Sequence, residues 1–118
     1  MHKILSMCNF KTLFLDETGY VVKCESCSHY QISFGTTMFT LHDDDYDEMF
    51  NTVEGLLYAN VDITNINLKA IVVEIIAPNF NLIVSYKELG WLYKMLFEAD
   101  CEKKAQEMFS LFNIRNEP

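Results

Sequence analysis

Runs of strand-forming residues, one of them alternating cleanly from His29 to Phe34, fill the chain up to residue 42, and from Asp43 a longer period takes over. Residues 12–15 (Thr-Leu-Phe-Leu) and 20–24 (Tyr-Val-Val-Lys-Cys) are rich in strand-forming types. They flank Asp16-Glu17-Thr18-Gly19, a turn in which Gly19 is placed for a positive φ, and so predict a first hairpin. Residues 29–34 (His-Tyr-Gln-Ile-Ser-Phe) alternate up to Gly35-Thr36, a pair suited to a two-residue II′ turn, and residues 37–41 return as the partner strand of a second hairpin. In that register Tyr30 faces Leu41, Ile32 faces Phe39 and Phe34 faces Thr37. The large apolar groups then share one side of the hairpin, and His29, Gln31, Thr40 and His42 share the other.

From Asp43 the apolar positions Tyr46, Met49, Phe50, Val53, Leu56 and Leu57 recur at helical spacing, behind an acidic start that complements the helix dipole. Asn60 to Asn67 reads as a connecting loop, and residues 70–76 and 80–85 bracket Pro78-Asn79 as a third hairpin. Ser85-Tyr86-Lys87-Glu88 spells a capping box, with Leu89, Leu92, Tyr93, Leu96 and Phe97 as the apolar face of a second helix. Asp100 reads as a fresh N-cap, so a third helix is expected to carry Cys101, Ala105, Met108, Phe109 and Phe112 on one face. Setting residues 39–42 over 82–85 brings Tyr46 over Leu89, Met49 over Leu92, Phe50 over Tyr93 and Val53 over Leu96. A pseudo-repeat of hairpin and helix is one reading of that match, and common patterning is the other. The expected fold class is α+β: an antiparallel sheet of three β-hairpins with three helices packed on one face. Its core should draw on Tyr30, Ile32, Phe39, Leu41, Met49, Phe50, Val53, Val73, Ile75, Leu82, Val84, Leu92, Leu96 and Phe109.

The 118 residues are expected to form a single domain over 1–118, with a β-rich cysteine-containing part (1–42) and a helix, a hairpin and two helices after it (43–118). That length buries a core without staples, so a metal would reinforce the fold rather than create it. A net charge of −8 repels a phosphate backbone and argues against nucleic acid as a partner. The apolar run between Met1 and Cys8 is too short for a signal peptide, and no window suits a bilayer span. A cytoplasmic location is expected, where thiols stay reduced and clustered cysteines point to metal or redox chemistry.

Cys8, Cys24 and Cys27, with His29 two residues further on, have the short spacing of a tetrahedral zinc site. The expected ligands are Cys8, Cys24, Cys27 and His29, with His42 as the alternative fourth, and His2 near Cys8. A second close ligand pair and a glycine after Cys27, both usual in zinc ribbons, are absent. Cys101, on the apolar stripe of the last helix, is assigned to the core. Reduced, partly buried thiols without metal are the plain alternative. A thiol oxidoreductase using Cys24 and Cys27 is another, although the motif leads into a strand rather than opening a helix. A hydrolase built around His29 and His42 is a third. The run from Asp43 to Glu48 lacks the glycine turn and terminal Glu of a calcium loop and reads as a solvated helix start. With no nucleophile–base–oxyanion arrangement and no glycine-rich phosphate loop, the leading expectation is a non-enzymatic interaction module carrying a structural zinc site.

Met7-Cys8, the stretch from Gly19 to Cys27, Tyr30-Gln31-Ile32-Ser33-Phe34-Gly35 and Phe39-Thr40-Leu41 ahead of Tyr46 together resemble a family of small uncharacterised Bacteroidetes proteins. The resemblance covers mainly the first 55 residues. It implies a bacterial cytoplasmic domain and transfers no site residues. One Trp, six Tyr and nine Phe are more aromatic side chains than so small a domain hides with ease. A homodimer or other protein partner is therefore expected, held through Trp91, Tyr93, Phe97 and Phe112.

Overall fold

The computed structural model describes residues 9–116, with side chains through Phe112. Strands β1 (Phe10–Asp16), β2 (Gly19–Cys24), β3 (His29–Phe34) and β4 (Thr37–His42) form an antiparallel meander in which each strand pairs with its chain neighbour. The β3–β4 register is the one expected from the alternation, with Tyr30 opposite Leu41 and Ile32 opposite Phe39. Gly35 alone in that turn takes a positive φ, 60°, as a II′ turn requires. In the β1–β2 turn Asp16 Oδ1 accepts hydrogen bonds from the Thr18 and Gly19 amides and the Thr18 hydroxyl, and Gly19 takes the expected positive φ, 158°. Glycine is needed there because the backbone of Ser33 on β3 passes where a side chain would begin. In β1 a bulge between Thr12 and Phe14 turns Leu13 into the core.

Helix α1 (Asp43–Ala59) follows β4 directly. Its N-cap, His42, makes no side-chain cap bond; the Asp43 amide donates instead to the Ser28 carbonyl at 3.1 Å, tying the helix start to the β2–β3 turn. Strands β5 (Ile71–Ile75) and β6 (Phe80–Val84) then make a separate two-stranded sheet rather than joining the first. The expected single sheet of three hairpins is thus two sheets, meeting where Phe39 and Phe80 pack with ring centroids 4.9 Å apart.

Helix α2 (Tyr86–Asn116) is one element of 31 residues where two helices were expected, so the described residues contain two helices, not three. Ala99 is buried, Asp100 pairs with Lys104 one turn on at 2.9 Å, and no Gly or Pro lies between Trp91 and Asn116 to break the ladder. A residue type that can cap a helix is here absorbed into one. The hairpin-then-helix order does recur, but the first hairpin belongs to a four-stranded sheet and precedes 17 helical residues, whereas the second stands alone and precedes 31. An internal repeat is not supported.

The uninterrupted helix has a second consequence, because its phase past Ala99 is inherited rather than reset. Leu89, Leu92, Met95, Leu96 and Ala99 are buried. Continuing that face at 3.6 residues per turn brings Lys103, Gln106, Glu107 and Ser110 toward the sheet, where they line a cleft with β1 and β2. Cys101, Ala105, Met108 and Phe112 are consequently exposed on the opposite side, and Phe109 is exposed at the edge of the sheet-facing side, near Lys11 and Thr12. Phe109 is 70 % exposed and leaves the expected core, as does Cys101, and Phe50 is only half-buried, against Tyr93 and Phe97. The other expected core residues are buried, joined by Leu13, Val21, Phe34, Tyr46, Ile71, Leu89, Met95 and Ala99.

The capping box at the start of α2 is complete. The Glu88 amide donates to Ser85 Oγ at 3.1 Å, the Ser85 amide donates to Glu88 Oε1 at 2.9 Å, and Lys69 Nζ lies 3.0 Å from Glu88 Oε2. The bond from the Ser85 amide, with help from Lys69, holds the Glu88 carboxyl below its usual range. Ser85→Ala should cost ~1 kcal/mol in urea melts at neutral pH. Because the folded-state pKa is depressed, the Glu88 contribution is fully present above the unfolded carboxylate value and is lost as pH falls through the folded one. Glu88→Gln should therefore flatten the acid limb of the stability curve. An unchanged acid limb would show that the charged form of Glu88 contributes nothing.

Candidate functional site

The four residues between Cys24 and His29 fold back tightly enough to leave those two residues directly opposite each other at the ends of β2 and β3. Ser28 makes the return possible by adopting a left-handed φ of 55°, and the Glu25 amide donates to the Asn9 carbonyl at 3.0 Å, anchoring the turn to the start of β1. The register extends the row across the sheet. Phe10 faces Cys24, Cys24 faces His29, and His29 faces His42, whose ring meets that of His29 edge-on at 5.4 Å. Cys24 is 1 % exposed, with its sulfur 3.4 Å from Ser26 Oγ, whereas Cys27 and His29 are exposed.

The structure therefore brings Cys24, His29 and His42 into one cross-strand row and puts Cys27 in the turn beside it. Cys101 is on α2, an exposed helix residue rather than part of this row. Cys8 and His2 lie outside the described residues. Among the described residues, no three His, Cys, Asp or Glu side chains stand close enough to share a metal ion. The motif's second cysteine leads into β3, so no helix opens there to stabilise a thiolate. His42 Nδ1 is 4.0 Å from Asp44 Oδ2, and neither His29 nor His42 lines the five main clefts among the described residues.

The cleft between the outer half of α2 and strands β1 and β2 escaped the sequence reading. It encloses about 470 Å³ and brings Lys11, Lys23 and Lys103 together with Glu25 and Glu107. Lys11 pairs with Glu25 at 3.2 Å, Lys23 with Asp43 at 3.6 Å, and Lys103 bonds the Tyr30 hydroxyl. Lys23 and Lys103 both stand over the Tyr30 ring, at 5.3 and 5.8 Å from its centroid. Each lysine already has a partner, so the cleft offers no uncompensated charge with which to select an ion. The available signal was Lys23 itself, which alternation puts on the same inward face as Val21.

No described helix is long and apolar enough to cross a membrane. Neither a curated protein nor a solved structure matches the chain. A family model does match, over residues 7–117, a span that takes in every element above. The chain belongs to that family, a family of unknown function designated DUF6686.

Proposed function

We propose that the protein is a non-enzymatic interaction module of the bacterial cytoplasm whose N-terminal sheet is clipped by a structural zinc ion. The ligands would be Cys8, Cys24, Cys27 and His29, with His42 as the alternative fourth. The observation that carries this reading is the row Cys24–His29–His42, because it lines up a thiol and two imidazoles on one sheet face beside Cys27. Ser28 supports it. A tight turn between two metal-binding cysteines and the following strand calls for a left-handed residue, and Ser28 supplies that conformation at the position where glycine was missing.

His29 is preferred over His42 because it stands one strand from Cys24 rather than two, at ~4.8 Å per strand. The ion would pin the start of β1 to the β2–β3 turn, which also holds the first amide of α1. Its role would be rigidity at a corner where three elements meet. A closed four-ligand site leaves no open position for substrate, which agrees with a structural rather than catalytic assignment.

Protein purified without chelator should carry one zinc per chain by native mass spectrometry, and removing it should lower the melting temperature by several degrees. Cys24→Ser and Cys27→Ser should abolish binding, His29→Ala should weaken it, and Cys101→Ser should leave it intact. Metal-free protein whose melting ignores chelator would overturn the zinc reading in favour of plain reduced thiols. A thiol titrating well below the ordinary ~8.5, together with a reversible disulfide, would replace it with the oxidoreductase reading.

A further inference from the structure

The outer half of α2 is amphipathic in the wrong sense for a single chain: its polar face looks at its own sheet, with Phe109 and Leu111 at the two edges, while much of its apolar surface is exposed. Phe97, Met108, Phe109, Leu111 and Phe112 are 47, 71, 70, 64 and 63 % exposed. Cys101 and Ala105, small residues within the same stripe, are also exposed. We propose that this stripe is the contact between two copies of the chain, paired antiparallel about a two-fold axis. The proposal rests on the interaction-module reading and names its partner; it does not depend on zinc.

Two features select a second copy. Area is the first. At ~200 Å² per large side chain, the exposed parts of the five large residues amount to roughly 600 Å² per chain, which is what one side of a small stable interface buries. Self-complementarity is the second. Cys101, Ala105, Met108 and Phe112 are spaced four, three and four residues apart, the interval of a helix-pairing seam. Antiparallel pairing about a point between Ala105 and Met108 sets Cys101 against Phe112 and Ala105 against Met108. Every layer then joins a small residue to a large one, which lets the backbones approach without voids. The flanks agree, since the same register places Lys104 beside Leu111 and Glu102 beside Phe109, opposing no like charges. Phe97 extends the stripe to the inner end of the helix, where it also packs on Phe50 and Tyr93. Of the aromatics singled out in the sequence, Phe97 and Phe112 belong to this surface, Tyr93 bonds Glu54 of α1, and Trp91 lies under Lys87.

Light scattering on the full chain across about 1–100 μM tests the pairing, with circular dichroism as the check on folding. The wild type should show twice the mass of one chain. Met108→Glu and Ala105→Glu, at exposed positions, should each weaken association at least tenfold without altering the melt, and Trp91→Ala should leave the dimer intact. Register is tested with Phe112→Cys under oxidised glutathione. A disulfide to the partner's Cys101, found by peptide mapping, supports the antiparallel arrangement, and links between like positions overturn it. A wild-type mass that stays monomeric at 100 μM overturns the proposal, as does a dimer indifferent to both glutamates. Neither outcome bears on metal content, and metal-free protein would leave the mass unchanged, so the two readings fail separately.

Discussion

Gly19→Ala is expected to destabilise the protein by at least ~3 kcal/mol or to prevent folding, although it adds one methyl group at a surface turn. An added Cβ would lie 1.8 Å from the Ser33 carbonyl oxygen and 2.7 Å from its carbon. Both are backbone atoms of the neighbouring strand, so no side chain can swing aside. Relief requires β2 and β3 to separate where the Gly35 amide also bonds the Thr18 carbonyl at 3.0 Å. Gly35→Ala is the control. A Cβ there meets nothing, and the cost is confined to a left-handed φ of 60°, ~1 kcal/mol. Urea melts of the two variants should separate clearly, and equal costs would mean that the close strand approach at Gly19 is not maintained in solution.

Tyr46→Ala should cost ~3–5 kcal/mol, because one side chain there joins three layers. Its ring stacks on Tyr30 of the sheet at 4.3 Å, and its hydroxyl donates to the Leu96 carbonyl of α2 at 2.6 Å. Burial pushes the Tyr46 hydroxyl far above its ordinary pKa, so it remains a protonated donor throughout the range in which the fold survives. Tyr46→Phe keeps the stacking and removes only the hydrogen bond, at ~1 kcal/mol. Equal losses from Phe and Ala would assign the whole effect to the hydroxyl; a negligible loss from Ala would show that the three layers hold together without this residue.

The second hairpin was legible because three signals agreed. Strict alternation from His29 to Phe34, a glycine at the turn and a matching return strand leave one register that buries Tyr30, Ile32, Phe39 and Leu41 together. The α2 capping box was legible because its two bonds are local. The β2–β3 pairing was harder, since its turn carries no glycine and relies on Ser28 taking a conformation that its type seldom adopts. Local signals also misled at Asp100. A good capping residue stops a helix only when the flanking chain prefers to leave it, and Asp100 has both a buried neighbour and a lysine one turn ahead. The error propagated into the core, since placing Phe109 inside required a phase that only a restarted helix would have. The His29–His42 pair could be read from the register of the second hairpin, but Cys24 opposite His29 and the cleft could not. The β1–β2 pairing sets Lys11 opposite Lys23, but Lys103 is far away in sequence, and only the docking of α2 against β1 and β2 brings it to them.

The meander also bears on how the chain reaches this structure. Among the described residues all six strands pair with immediate neighbours in sequence, so none of them waits for a distant partner, and each pairing closes a short loop. Hairpins of this kind form within about 1–10 μs, which puts the four-stranded sheet and the β5–β6 ribbon among the early events. The long-range step is the docking of α2, whose bond from Tyr46 to Leu96 spans 50 residues. The rate-limiting search is thus the meeting of preformed pieces around one tyrosine, and mutations at Tyr46 should slow folding more than mutations of equal cost within the hairpins.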